Sequence, residues 1–227
     1  PTTNLAAYEL LVRARTRTAA KGESQLAVLE ARVELLKQAV ALDPGFALAW
    51  AALSRSYALR ALIADRTMLP RGLEAGHKAL ALDPNLAQAH HALGLNLFWL
   101  GKLAESLASV RRATELDPSN SAALGDLSVW QSYAGHFVES LAAAKAAVRL
   151  TPNTWNPYYH LGGALMGLGD DARTERLLAS ASTRFEQPVR LEILLADLDW
   201  RRGRDAAALE RIRRVAAAHP DDAEFAA

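Results

Sequence analysis

The apolar and polar positions along this chain follow a helical pattern. Alanine, leucine, arginine and glutamate dominate, β-branched residues are sparse, and glycine and proline fall at intervals instead of in clusters. Such a distribution favours many helices joined by short turns, and it gives strands almost no support. We therefore expect a fold of the all-α class.

The apolar positions also repeat over a longer, fixed interval. Leucines and glycines each recur every 34 residues, at Leu93, Leu127, Leu161 and Leu195 and at Gly101, Gly135, Gly169 and Gly203. Pro84, Pro118 and Pro152 keep the same interval. A period of this length indicates an array of similar structural repeats stacked on one another.

Each repeat of such an array is expected to be two antiparallel helices joined by a tight turn. Small side chains recur where the helices should cross closely: Ser54, Gly94, Ser128, Gly162 and Ala196 at the eighth position, and Ala79, Ala113, Ala147 and Ala181 at the twenty-seventh, with the larger Val215 in the last repeat. Glycine at the fifteenth position supplies the turn between the two helices. The run Leu-Asp-Pro at 42–44, 82–84 and 116–118 ends the second helix, because proline cannot continue it.

Leu93, Gly94, Ala113 and Pro118 stand at positions that mark the tetratricopeptide repeat, and the chain resembles this family over nearly its whole length. The resemblance implies a right-handed α-solenoid of about six helix-turn-helix repeats, forming a single domain over residues 1–227. We place the repeats at 47–86, 87–120, 121–154, 155–188 and 189–222, after a divergent first repeat at about 4–46.

Two repeats depart from the pattern. The repeat at 47–86 is longer than its neighbours, and we assign the extra residues to the turn around Ile63 to Pro70. In the repeat at 155–188, Phe185-Glu-Gln-Pro replaces the Leu-Asp-Pro ending, so we expect its junction with the last repeat to bend differently.

The opening of the chain carries a second, narrower resemblance. Residues 7–15 and 36–44 are similar to the start of repeat arrays at the C-terminal end of bacterial signalling proteins, which carry an adenylate cyclase, a kinase or a winged-helix DNA-binding domain upstream. This resemblance implies that the chain is the docking or sensory part of a larger protein. The start at Pro1, without an initiator methionine, favours the same interpretation.

The charge balance and the cysteine content exclude several classes of function. Lysine and arginine number 26 against 25 aspartates and glutamates, so no net field attracts nucleic acid or an anionic membrane, and we expect neither partner. The absence of cysteine excludes disulfides, thiolate metal sites and a cysteine nucleophile, and it fits the cytoplasm, which we slightly favour, as well as the periplasm. Apolar stretches fall short of the roughly 20 residues that span a bilayer, so we expect no membrane insertion.

Residues with chemical potential do not assemble into a catalytic or metal-binding motif. His90 and His91 are adjacent and point about 100° apart on a helix, whereas helical zinc pairs need i, i+4 spacing. His90 takes the place that Trp50 and Tyr158 hold in their repeats, so we interpret it as a packing residue. No phosphate-binding glycine loop or nucleophile elbow is present, and acidic residues surround the arginines between 201 and 214. We expect no enzymatic activity, no cofactor and no metal.

The first helices of the repeats carry the candidate site. In solenoids of this type the first helix lines the inner surface, where the fifth, ninth and twelfth positions form one stripe. With its neighbours this stripe gives a candidate binding groove of His91, Leu95, Phe98, Trp99, Val129, Tyr133, Tyr159, Met166, Ile193 and Trp200. The alternative is that some of these aromatic side chains, Trp99 and Trp200 above all, pack against a neighbouring repeat.

An aromatic and apolar groove is typical of a surface that holds hydrophobic side chains of a partner. We therefore predict a scaffold that binds a protein or peptide, without the lysine and asparagine set that clamps a C-terminal carboxylate in some relatives. Two alternatives stay open. The chain could self-associate, as a homodimer for example, through the groove or an unsealed end, where residues 221–227 resemble the start of another helix, or it could regulate a parent cyclase, kinase or transcription regulator.

Overall fold

A computed structural model describes residues 2–185 and 189–218 of the chain. Over these residues the protein is all-helical, without strands, as the sequence predicts. The helices are α1 (Leu5–Thr16), α2 (Gln25–Leu42), α3 (Ala47–Ile63), α4 (Leu69–Leu82), α5 (Ala87–Trp99), α6 (Leu103–Leu116), α7 (Ser121–Tyr133), α8 (Phe137–Leu150), α9 (Asn156–Gly167), α10 (Asp171–Arg184), α11 (Val189–Arg201) and α12 (Asp205–Ala218). We call the odd-numbered helices first helices and the even-numbered helices second helices.

The turns inside the hairpins form at the predicted glycines. Gly101, Gly135, Gly169 and Gly203 have φ values of 69° to 79°, in the left-handed region that residues with a Cβ rarely adopt. The backbone N–H after each glycine reaches back over the helix end; that of Lys102, for example, donates to the carbonyl of Leu97 at 2.9 Å. This pairing satisfies carbonyls at the helix end and turns the chain into the second helix.

The Leu-Asp-Pro junctions between repeats are closed by side chains on both sides. Asp43 accepts a hydrogen bond from the backbone N–H of Gly45 at 2.9 Å, and Asp83 does the same for Asn85 at 3.0 Å. The residue at the fourth position of the following repeat contacts the carbonyl oxygen of the preceding proline, at 3.0 Å for Trp50 Nε1 and 2.9 Å for His90 Nε2. The Tyr158 hydroxyl makes the same contact at 3.1 Å, although its proline, Pro152, follows a threonine. His90 is thus a packing residue with a defined hydrogen bond.

Close helix crossings occur at the predicted small residues. The alanines at 79, 113, 147 and 181 and the small residues at 54, 94, 128, 162 and 196 are buried. Hydroxyl groups reinforce several crossings from the opposite helix. Ser106 Oγ donates to the carbonyl of Gly94 at 2.9 Å, and Ser140 Oγ donates to that of Ser128 at 2.7 Å.

The extra residues of the second hairpin lie where the sequence predicts them. The chain leaves α3 at Ile63 and forms a short 3-10 helix, Arg66–Met68, before α4. Asp65 caps this turn, because its Oδ1 accepts hydrogen bonds from the backbone N–H of Thr67 at 2.9 Å and from its hydroxyl at 2.6 Å.

The divergent end of the 155–188 repeat is closed by an aromatic and cationic cluster. Phe185 packs on Tyr158 with ring centroids 5.5 Å apart. Arg184 donates to the Tyr158 hydroxyl at 3.1 Å and to Asn153 Oδ1 at 2.8 Å. These contacts stand in for the missing Leu-Asp-Pro turn, while the residues at 186–188, where we predict a different bend, lie outside the described part of the chain.

The helices group into two compact lobes, an N-terminal lobe (Pro1–Pro118) with α1 to α6 and a C-terminal lobe (Ser119–Ala227) with α7 to α12. In the N-terminal lobe a core built around Leu11, Leu36 and Leu53 joins α1, α2 and α3, and α3 contacts α5. In the C-terminal lobe α9 contacts both α7 and α11, so the three first helices lie in series.

Candidate protein-binding surface

Three of the predicted groove residues are buried and are not part of an open surface. His91, Leu95 and Met166 each keep less than a tenth of their surface exposed. On α5, which α3, α4 and α6 all contact, every residue from His91 to Leu97 is buried. The prediction that these three side chains line a groove is therefore wrong, because they pack in the interior.

The other predicted residues differ in exposure. Phe98 and Trp99, at the end of α5 in the N-terminal lobe, are half-buried and pack edge to face, with ring centroids 5.2 Å apart. Val129, Tyr159 and Ile193 in the C-terminal lobe are also half-buried. Tyr133 and Trp200 stand out, because 72% and 69% of their surfaces are exposed. Large exposed aromatic side chains are typical contact residues of protein interfaces.

On α9, which contacts the helices that carry Tyr133 and Trp200, the missing side chain of Gly163 leaves a gap that we call the notch. A Cβ built on Gly163 would meet no atom within 4 Å, so the space above this residue is open. The adjacent Gly162 points the other way, because its Cβ would come within 2.6 Å of Leu178 Cδ2 in the core. Of these two neighbouring glycines, Gly162 permits a close helix crossing and Gly163 faces open space.

Tyr159 and His160 lie one turn before this notch on the same helix. Tyr159 packs against the core of the C-terminal lobe around Leu178, Leu191 and Leu195. Its ring meets that of His160 edge to face at 5.5 Å. We define the face made by Tyr133, Tyr159, Gly163, Ile193 and Trp200 as the C-terminal face.

His160 is a structural residue of this surface that sequence reasoning missed. Its ring packs so closely on α7 that a Cβ on Gly125 would lie 2.8 Å from His160 Cδ2. Burial lowers the pKa of His160, and the positive charge of Arg190 adds to that effect, while Asp126 opposes it. The imidazole is therefore neutral at pH 7, and its buried Nδ1 has no hydrogen-bond partner among the described residues. The only feature of the sequence that could have indicated this buried position of His160 is the small Gly125 opposite its ring.

Three of the arginines near the C-terminus form ion pairs with acidic residues. Arg202 pairs with Glu175 at 2.6 Å, and Arg204 pairs with Asp199 at 2.7 Å. Arg211 also pairs with Asp199, at 2.8 Å, and with Glu192 at 2.9 Å. These bridges join α10, α11 and α12, so their contribution is to the packing of the last helices.

Clusters that could bind a metal are not found in the part of the chain that the structure describes. No group of three or more histidine, aspartate and glutamate side chains is placed to hold a metal ion there. Among the same residues, no helix is both long and apolar enough to cross a membrane.

No protein-family model and no curated protein sequence matches the chain. Solved structures do match it. PilW, described as a widely conserved type IV pilus biogenesis factor, matches with a TM-score of 0.74 and 19% identity over 98% of each chain. PilF of Pseudomonas aeruginosa matches with a TM-score of 0.67 and 18% identity, over 97% of this chain and 95% of its own.

YrrB, described as a TPR protein with an unusual peptide-binding site, matches with a TM-score of 0.58 and 17% identity, over 83% of this chain and 94% of its own. At such identities the matches concern the fold alone. Together with the helical hairpins described above, they show that the chain has the tetratricopeptide-repeat fold.

Proposed function

We propose that the chain is a non-enzymatic scaffold that binds a protein or peptide on the C-terminal face, with a large apolar side chain of the partner seated at Gly163. The observation that carries this proposal is the open notch on α9, with an exposed aromatic residue on each neighbouring first helix. Aromatic residues around a recess are the usual anchors of an interface. The fold supports the proposal as well, since YrrB, which shares it, is described as having a peptide-binding site.

The chemistry of the face favours an apolar anchor within a polar segment. Tyr159 and the neutral His160 give the recess an uncharged wall, while Arg190 and Asp197 are exposed on α11. Charges of both signs at the rim set orientation more than affinity. We therefore expect a partner whose central residue is a leucine, phenylalanine or similar side chain.

Gly163 allows a test that separates binding from folding. Gly163→Leu would fill the notch, and Gly163→Ala would leave most of it open, while both substitutions remove a helix-destabilising glycine. Peptides selected from a random display library on the wild-type chain should bind Gly163→Ala about as well as the wild type. They should lose at least tenfold in affinity, or more than about 1.4 kcal/mol, for Gly163→Leu.

Equal affinity of the selected peptides for wild type and Gly163→Leu would remove the notch as the binding site. Thermal unfolding of both variants provides the control, because neither should unfold below the wild type. Tyr133→Ala should likewise weaken binding without loss of stability, since most of that side chain is exposed.

A second proposal concerns the parent protein. The resemblance of residues 7–15 and 36–44 to bacterial signalling proteins supports a role as the docking or sensory part of a larger chain. The upstream reading frame tests this directly, because it must encode a cyclase, a kinase or a winged-helix domain.

A further inference from the structure

The last helix presents a packing face that no described residue covers. Ile212 of α12 is 37% exposed, whereas the residues 34, 68 and 102 positions earlier, Leu178, Ala144 and Val110, are all fully buried. Leu178 shows what this position does inside the array, because it packs against Leu191 and Leu195 of the next first helix. One turn before Ile212, Leu209 is 55% exposed. The outer face of α12 is thus shaped to receive a first helix.

The first helix of the chain carries an exposed apolar stripe of its own. Ala7, Leu11 and Ala14 of α1 face the core of the N-terminal lobe. Leu5, Tyr8 and Val12 lie on another side at i, i+3 and i+7 spacing, and they are exposed by 69%, 50% and 39%. Three exposed apolar side chains in one row on a single helix are a contact surface, not scattered surface residues.

The two faces belong to the two types of helix that pack against each other inside the array. Inside each lobe a second helix packs against the following first helix, as α2 does with α3, α4 with α5, α8 with α9 and α10 with α11. Among the described helices, α12 is a second helix without a following first helix, and α1 is a first helix without a preceding second helix. A contact between α12 of one copy and the exposed stripe of α1 of another would likewise place a second helix against a first helix.

The charges beside the two stripes also match in an antiparallel contact. Glu9 and Arg13 follow Tyr8 and Val12 on one flank of α1, and Glu210 and Arg213 follow Leu209 and Ile212 on the same flank of α12. Antiparallel packing brings equivalent flanks of the two helices together. It also places the N-terminal end of each helix beside the C-terminal end of the other. Glu9 then meets Arg213, and Arg13 meets Glu210. All four side chains are exposed, and none forms an ion pair with another described residue.

We propose that copies of this chain associate head to tail, with the α12 face of one copy on the α1 stripe of the next. The contact joins two different surfaces, so each copy keeps one face free for a further copy. It uses neither Tyr133 nor Gly163, so it is separate from the C-terminal face.

Two blocked variants test the proposal together. Tyr8→Glu with Val12→Glu blocks the α1 stripe, and Leu209→Glu with Ile212→Glu blocks the α12 face. In analytical ultracentrifugation the wild type should gain mass with concentration, and each variant alone should remain a monomer. An equimolar mixture of the two variants should form a dimer and nothing larger, because each supplies the face that the other has lost.

Charge reversal checks the pairing. Glu9→Arg should weaken association at least tenfold, and adding Arg213→Glu to the same chain should restore it. A wild type that stays monomeric at all concentrations would overturn the proposal. If that monomer lost thermal stability on Leu209→Glu with Ile212→Glu, the face would belong to the chain's own C-terminal residues. If one blocked variant still formed dimers by itself, the contact would join two identical faces instead.

Discussion

At the scale of single residues, His160 shows how burial determines the charge of the C-terminal face. Its ring occupies space that only a glycine at 125 leaves open, and burial holds the pKa of His160 below its ordinary value. A charged imidazole here would lie beside the charged Arg190 with its Nδ1 shut away from water. The folded structure therefore favours the neutral form of the imidazole.

This depressed pKa predicts a pH dependence of stability. The unfolded chain binds a proton at His160 near pH 6.5, whereas the folded chain binds it only at lower pH. The free energy of unfolding should therefore fall as the pH drops below about 7, and level off once the folded ring is protonated as well. Urea unfolding curves of wild type and His160→Gln between about pH 5 and pH 8 measure this dependence of the free energy of unfolding on pH. The variant should show a shallower slope, and identical slopes would contradict the assignment.

At the scale of helices, the crossings depend on small buried residues. Ala147 is fully buried on α8, while Ala142, on the same helix, is exposed. Overpacked interiors force side chains off their rotamers and shift backbone.

Ala147→Leu should therefore lower the free energy of unfolding by about 1–3 kcal/mol. Ala142→Leu is the matched control, because the same atoms are added at a surface position, and it should change stability by less than about 0.5 kcal/mol. Chemical denaturation of both variants distinguishes them. If the two substitutions had equal effects, the crossing would not be where the repeat register places it.

The helices, turns and crossings were predictable because they depend on local chemistry that recurs. A glycine at the fifteenth position of the repeat, such as Gly135, marks a left-handed turn, and Leu-Asp-Pro ends a helix through the ring of its own proline. The candidate site was less predictable, because exposure depends on neighbours distant in sequence. His91 and Tyr159 occupy the same position of their repeats, yet His91 is buried and Tyr159 is only half-buried. Gly162 and Gly163 are the same residue type, and only the packing around them distinguishes them.

At the scale of the whole molecule, each helix depends chiefly on its neighbours, so damage at one place should stay local. Asn96 is fully buried in the N-terminal lobe, where its Nδ2 donates to the carbonyls of Ser54 at 3.1 Å and Ala92 at 2.9 Å. A Cβ on Gly72 would lie 1.9 Å from Asn96 Oδ1, so this amide must move if the glycine is replaced.

Gly72→Ala should therefore destabilise α3, α4 and α5 and leave α9 to α11 much as they are, since arrays of this kind couple through nearest neighbours. Amide hydrogen exchange measures both regions in one experiment. Protection should fall in the N-terminal lobe by the equivalent of about 1–3 kcal/mol, and Asn96→Ala in the same chain should recover part of it. A uniform loss of protection over both lobes would show that the chain unfolds as one cooperative body.

The hydrogen bonds to the junction prolines have a consequence for how such chains can be recognised. An indole, an imidazole and a phenol fill the same role, at Trp50, His90 and Tyr158, because each brings a proton donor to a carbonyl at the same reach. The junction requires a hydrogen bond of given length and direction, and three chemically different residue types provide it. Sequence profiles, which score residue types, find little agreement at this position of the repeat. Superposition of the atoms finds one shared motif. A chain of this kind can therefore keep its fold while its sequence diverges until sequence alignment no longer detects the similarity.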